Sequence, residues 1–317
     1  MGYSMERREG RPQKMTSPLQ IYSGYTEEDV LLLQSFVVQK ASLERDFYID
    51  GFSNKTLFSS VPFREDFDLE RLTLPAPDDG FHAEALEYVT VCDSVKRAGS
   101  SYCIVEVGAG WGPWINLGGV LARSHGIKDI NIIGVEAHPG RFDLMKKQLS
   151  ANLLRPVDIQ NTTDFNGVKC KLIQGAASAE HKTLWFPNFD IKDMGAAASD
   201  ANVSNDYRGL NADNFPVAGF VLKEIIDDLI IDLLHIDIQG AEFDIINSGI
   251  DCLNTQVKSM MIATHSRVIE GKLIELLYEN GWYLHREKPC RVEWRESPAS
   301  LEAMTQVDGS QYWRRSN

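Results

Sequence analysis

The run Val105-Glu-Val-Gly-Ala-Gly-Trp-Gly112 constrains this chain more than any other stretch. A β-type segment, Tyr102–Val107, enters three glycines spaced G-x-G-x-G, and Pro113 then opens an apolar helix towards Arg123. Glycines let a backbone reverse tightly and approach a ligand closely, while the helix that follows offers its N-terminus. Such a strand–turn–helix starts a parallel α/β sheet whose ligand lies at the carboxyl edge. A dinucleotide fingerprint needs G-x-G-x-x-G, yet Pro113 stands in the third glycine's place. Glu106, two residues before the first glycine, instead suits the ammonium of S-adenosylmethionine.

The rest of the chain alternates as a parallel sheet with crossover helices would. Strands are expected at Ile130–Glu136, Lys169–Ile173, Asp232–Asp237 and Met260–Thr264, with helices around Ala83–Lys96, after Pro139 and ahead of Gly281. Trp282–Arg286 and Gln311–Arg314 read as final strands joined by a long loop. Ahead of this, Thr26 caps a helix carrying Val30, Leu33, Phe36 and Val37, and Phe47–Val61 suggests a hairpin. The Pro/Gly/Asp stretch Leu72–Gly80 is the candidate boundary. The division expected is a flexible tail over 1–18, an N-terminal cap over 19–80 and a main domain over 81–317. An Asn/Asp/Ala/Gly-rich insertion is expected over Phe186–Phe220, and long loops in compact domains are often functional.

The 317 residues carry a net charge of −13, which argues against a nucleic-acid partner, because phosphate binding draws on Lys and Arg. Five cysteines without a C-x-x-C pair imply a reducing compartment and no cysteine metal site. With no signal-peptide core at the start and no run long enough to span a bilayer, the expected location is the cytoplasm.

Further acids stand at strand ends. Glu136 closes the second strand 24 residues beyond Gly112, where an acid meets ribose hydroxyls in nucleotide-binding folds. Asp237 ends the fourth strand, and Glu242 falls in the first turn of the next helix, where the dipole alone favours an acid. His265 follows the fifth strand and is the expected base for a substrate hydroxyl, with Asp237 as helper or alternative. No metal site is expected, although Asp237 and His265 could lend ligands to a divalent ion.

Together Val105–Gly112, Gly134-Val-Glu-Ala-His-Pro and His235-Ile-Asp-Ile-Gln-Gly-Ala-Glu resemble the FkbM-type methyltransferases. Thr264-His-Ser and Asp308-Gly-Ser-Gln-Tyr-Trp add to the likeness, which covers roughly Ala83 to the C-terminus. The resemblance implies a Rossmann-like class I methyltransferase with a mostly parallel seven-stranded sheet and helices on both faces. It implies S-adenosylmethionine as donor and a hydroxyl of a sugar, glycan or polyketide-type product as acceptor. Glu106, Gly108, Ala109 and Gly110 would then face the methionine end, and Glu136 and Ala137 the ribose. Gln174, Gly175, Ala176 and Ala177 would lie near the adenine, Asp237 beside the methyl group, and Glu242 and His265 near the acceptor. His235 and Gln239 stand where the family often has Lys and Glu, which leaves an N-acceptor open. An NAD-dependent oxidoreductase on the same fold is the other alternative.

Overall fold

The computed structural model describes residues 23–60, 74–78, 84–154, 163–165 and 167–315. The expected tail over 1–18, and much of the candidate boundary Leu72–Gly80, lie outside the described residues.

Helix α1 (Glu27–Ser35) begins where Thr26 and Asp29 cap each other's backbone N–H groups. Its Leu33 and the following Phe36 are buried, whereas Val37 is exposed. Strands β1 (Ser42–Leu43), β2 (Phe47–Ile49) and β3 (Lys55–Leu57) form a small antiparallel sheet, the last two as the expected hairpin.

The main sheet follows. Helix α2 (Ala85–Arg97) precedes β4 (Ser101–Val107), α3 (Pro113–Ser124), β5 (Asp129–Glu136) and α4 (Pro139–Ala151). The side chains of Gln148 on α4 and Asn152 at its C-terminal cap accept backbone N–H bonds from Leu57 and Lys55, tying the hairpin to the sheet's helical layer. Next come β6 (Thr163–Phe165), β7 (Val168–Gln174), β8 (Ala176–Ala177), β9 (Lys182–Pro187) and β10 (Asn214–Phe220). Helix α5 (Leu222–Ile226), β11 (Leu233–Ile236), α6 (Glu242–Ser248), α7 (Ile250–Gln256), β12 (Ser259–Thr264) and α8 (Arg267–Glu279) continue the alternation. The chain closes with β13 (Trp282–Lys288), a ribbon of β14 (Arg291–Val292) with β15 (Thr305–Val307), and β16 (Gly309–Arg315).

The large sheet has eight strands in the order β13-β16-β12-β11-β4-β5-β7-β6. Strand β16 runs antiparallel between β12 and β13, and the short β6 is an antiparallel edge added to the seven strands expected. Alternate residues of each central strand enter opposite cores, as a pleated strand buried on both faces requires. On β4, Tyr102 and Ile104 pack with α2, α3 and α4, while Cys103, Val105 and Val107 pack with α5 to α8. Each such fully buried aliphatic side chain contributes roughly 1.5–3 kcal/mol.

The expected insertion over Phe186–Phe220 is narrower than its composition suggests. Asn214–Phe220 is β10, paired with β9 from Asn214 opposite Pro187 to Gly219 opposite Lys182. Pro216 and Gly219 mask its alternation, in which Val217 and Gly219 are buried and Pro216 and Ala218 exposed. The irregular stretch is 188–213, a long connection that packs Ala196 against Leu184, Phe186 and Val217.

Candidate functional site

The chain leaves β4 towards β5 and β7 on one side, then returns to β11 and β12 on the other. A crevice therefore opens at the carboxyl ends of β4 and β11, the topological switch point where open α/β sheets bind ligands. The cavity there has a volume of about 300 Å³.

The glycine turn forms its floor. Gly108 has φ +77°, and a Cβ there would lie 1.7 Å from the Asp237 carbonyl oxygen, so no other residue fits. Gly110, at φ +54°, faces open space, and a Cβ would meet only Met194 at 3.8 Å. Glu106 is buried, and one carboxylate oxygen accepts the Ile115 N–H at 2.9 Å, capping the first turn of α3. Burial pushes its carboxyl pKa well up, with the charge of Glu87 adding to the effect. A cation arriving from the cavity would relieve that cost. Glu136 accepts the N–H groups of Gly110 and His138, each at 2.7 Å, and burial likewise raises its pKa against the pull of Arg141.

Of the residues expected to touch a cofactor, Glu106, Gly108, Ala109, Gly110, Glu136, Ala137, Gly175, Ala176, Ala177 and Asp237 line this cavity. Gln174 is exposed at the end of β7 and is not among the residues that line this cavity. His138 caps α4, accepting from Gly140 and Arg141, and its other ring nitrogen meets the Phe189 carbonyl. Burial, and then Arg141, lower its pKa.

Sequence reasoning missed several lining residues. Arg141, in the first turn of α4, is 3% exposed and has a buried Nη2 without a hydrogen-bond partner. Glu87 accepts the Glu84 backbone N–H at the start of α2, and both residues reach the cavity. Burial, with Glu87 adding and Lys288 opposing, takes the Glu84 carboxyl to about 7. The 188–213 connection lies over the glycine turn through Met194 and Ala196. It is held by a two-stranded bridge between Trp185 and Ser199 and by Arg208, which pairs with both carboxylate oxygens of Asp193 at 2.7 and 3.0 Å. No periodicity marks these contacts in the sequence.

The acids and histidine expected on the acceptor side do come together. His265 Nδ1 lies 2.8 Å from Glu242 Oε1, and its Nε2 lies 3.3 Å from Asp237 Oδ1 and 3.8 Å from Asp308 Oδ2. Glu242 is fully buried and also accepts the backbone N–H groups of Ile238 and Gly240. Donor atoms of Asp237, Glu242 and His265 fall within 4.8 Å of one another, the spacing of a metal-binding group. Asp237 and Asp308 line the cavity, whereas His265 and Glu242 stand behind them. Burial alone would lower the His265 pKa, but Glu242 and then Asp237 hold it well above the ordinary value. Burial raises and His265 lowers the Asp237 pKa, and the net shift is downward. The expected base, His265, is thus set back from the cavity, whose lining at this end is formed by Asp237 and Asp308. Tyr207 donates to Gln239, and Gln239 donates to Asp237, so the connection also steadies this wall.

The Methyltransferase FkbM domain matches residues 106–279. A protein of Jannaschia sp. (strain CCS1) named "Putative methyltransferase" is 33% identical over 221 residues, covering 68% of this chain and 74% of that relative. Among solved structures, the chain is similar to the precorrin-6y C5,15-methyltransferase of Geobacter metallireducens GS-15, at 12% identity and a TM-score of 0.40. That similarity covers 76% of this chain and 93% of the other. It is also similar to the METTL16 MTase domain, at 12% identity and a TM-score of 0.40, over 79% and 72% of the two chains.

Proposed function

The chain belongs to the FkbM methyltransferase family and is an S-adenosylmethionine-dependent methyltransferase, and we propose that it methylates a hydroxyl of a sugar, glycan or polyketide-type acceptor. Family membership removes the NAD-dependent oxidoreductase alternative. The observation that carries the reading is the cavity lining, in which Glu136, Glu106 and Asp237 follow one another at the ends of β5, β4 and β11. In this reading Glu106 receives the donor's ammonium, with Gly108, Ala109 and Gly110 against the methionine chain. Glu136 and Ala137 take the ribose, and Gly175, Ala176 and Ala177 border the adenine. The donor supplies an already activated methyl group, so the protein's work is chiefly to position the two reactants. Asp237, rather than His265, faces the acceptor: its carboxylate orients the hydroxyl and receives its proton as the oxygen takes the methyl. His265 and Glu242 act as positioning residues behind it. The Met194 and Ala196 segment borders the cavity over the glycine turn.

A screen of radiolabelled methyl transfer across sugars, glycolipids and hydroxylated small molecules tests the proposal. Label recovered as a methyl ether supports it. Label found only on nitrogen refutes the hydroxyl assignment and favours an N-acceptor.

A further inference from the structure

We propose that Asp237, His265 and Asp308 form a divalent-cation site at the acceptor end of the cavity, with Glu242 orienting the imidazole from behind. The three donors come from separate elements: the end of β11, the end of β12 and the turn between β15 and β16. They converge because β16 pairs with β12 so that Gly309 lies opposite Thr264. The separations of 3.3 and 3.8 Å from His265 Nε2 to Asp237 Oδ1 and Asp308 Oδ2 suit one ion. Neighbouring ligands about an ion at roughly 2.0–2.2 Å lie roughly 3.0–3.5 Å apart, a spacing that the Asp237 contact meets and the Asp308 contact exceeds by a few tenths of an ångström.

The imidazole itself points to a ligand. His265 is 2% exposed, and its Nε2, 3.3 Å from Asp237 Oδ1, is a buried ring nitrogen that makes no hydrogen bond. Its Nδ1 is engaged by Glu242, whose oxygens are pinned by the Ile238 and Gly240 N–H groups. A carboxylate that accepts the Nδ1 proton leaves the Nε2 lone pair for a metal, the usual arrangement behind a ligating histidine. The His265 carbonyl accepts the Thr305 hydroxyl at 2.6 Å, which fixes the backbone at this point. Three carboxylates surround one imidazole, so a dication would balance charge that the histidine alone leaves in surplus. Glu242 is fully buried and absent from the cavity lining, and its Oε1 is held by His265 Nδ1 and the Ile238 N–H, so it orients the imidazole from behind.

Two carboxylates and one imidazole favour Mn²⁺, Mg²⁺ or Fe²⁺ over a thiolate-seeking ion. Asp237 and Asp308 border open space, so the remaining coordination positions face the cavity. An acceptor hydroxyl bound there is acidified by the ion. A vicinal diol fills two positions and is the acceptor class this geometry fits. That last step rests on the hydroxyl-acceptor reading; the cation site does not, because binding is measured without acceptor.

The full chain, stripped with chelator and saturated with S-adenosylhomocysteine, is titrated with Mn²⁺ and followed by electron paramagnetic resonance. One saturable site per chain is expected. Asp308→Asn and His265→Gln should each weaken it by at least tenfold while leaving S-adenosylhomocysteine affinity unchanged, and Glu242→Gln should weaken it by 10–100-fold. Asp308 is half exposed, so its variant folds even if the buried ones do not. Absence of a saturable site, or a site indifferent to Asp308→Asn, overturns the proposal. Mn²⁺ binding with undiminished methyl transfer after chelation overturns its catalytic part. Methyl transfer to nitrogen alone would refute the acceptor reading and leave the binding result standing.

Discussion

Replacing Gly108 and Gly110 separately with alanine asks whether the turn is dictated by backbone packing or only by handedness. Both glycines have positive φ, so each alanine carries about 1–2 kcal/mol of left-handed strain. At Gly110 little else is added, since the new methyl would meet Met194 at 3.8 Å, an ordinary contact. At Gly108 the methyl would sit 1.7 Å from the Asp237 carbonyl oxygen, against roughly 3.3 Å for a normal carbon–oxygen approach. Strands β4 and β11 must then part, which strains the Asp237 N–H to Val107 bond at 2.9 Å and the Gly108 N–H to Val135 bond at 3.0 Å. Each buried bond lost costs about 1–3 kcal/mol, so the total for Gly108→Ala is about 5 kcal/mol. For a chain of this length the unfolding entropy converts 1 kcal/mol into roughly 1.5 °C. Differential scanning calorimetry should therefore show Tm falling by about 7 °C for Gly108→Ala and about 2 °C for Gly110→Ala. Isothermal titration with S-adenosylmethionine should show binding abolished in the first and weakened in the second. Equal shifts in Tm would refute the argument that close approach of β11, rather than φ alone, demands glycine at 108.

Three further outcomes follow from side-chain environments. Glu106→Gln keeps an acceptor for the Ile115 N–H and removes a buried charge, so the free protein should be no less stable. Its S-adenosylmethionine affinity should drop about tenfold or more by titration calorimetry, the loss of a charge-assisted bond, and unchanged affinity would remove Glu106 from the site. Burial, then Arg314 and Arg286, lower the His285 pKa to about 4, below the ordinary 6.5. The folded state thus binds fewer protons, and the stability present above 6.5 is lost as pH falls to about 4. Urea unfolding at pH 7.5 and 4.5 should show the parent losing about 2 kcal/mol more than His285→Gln, after allowance for partial exposure. Arg208→Ala removes the paired contact with Asp193, so limited proteolysis within 188–213 should quicken about tenfold with little change in Tm. A Tm drop as large as that of a core variant would mean the connection is integral to the fold.

The order of the main-sheet strands β4, β5, β7, β11, β12, β13 and β16 was legible because each carries its own period. The short strands β6, β8, β9, β14 and β15 and helices α5 and α7 were not read from the sequence. Tyr102–Val107, Ile130–Glu136 and Met260–Thr264 alternate or run apolar, and glycine or proline punctuates their ends. The glycine turn was legible for the same local reason, and so was the strand-end position of Glu136, Asp237 and His265. Strand β10 was not, since Pro216 and Gly219 broke its pattern, and pairing with β9 overrode that weak propensity.

What lay beyond the sequence is every relation between distant segments. Which way Gln174 faces depends on the register of β7, and a one-residue step reverses a strand's face. The cavity contacts of Glu84, Glu87, Arg141 and Met194 arise from packing across the sheet's edge. Above all, Asp237, Glu242, His265 and Asp308 meet only because β11, β12 and β16 are neighbours in the sheet. The sequence alone determined that a glycine-bound cofactor turn would stand at the end of a parallel strand. Tertiary structure decided that His265 is withdrawn behind two carboxylates, because sheet order, not residue spacing, sets which charges share one small volume.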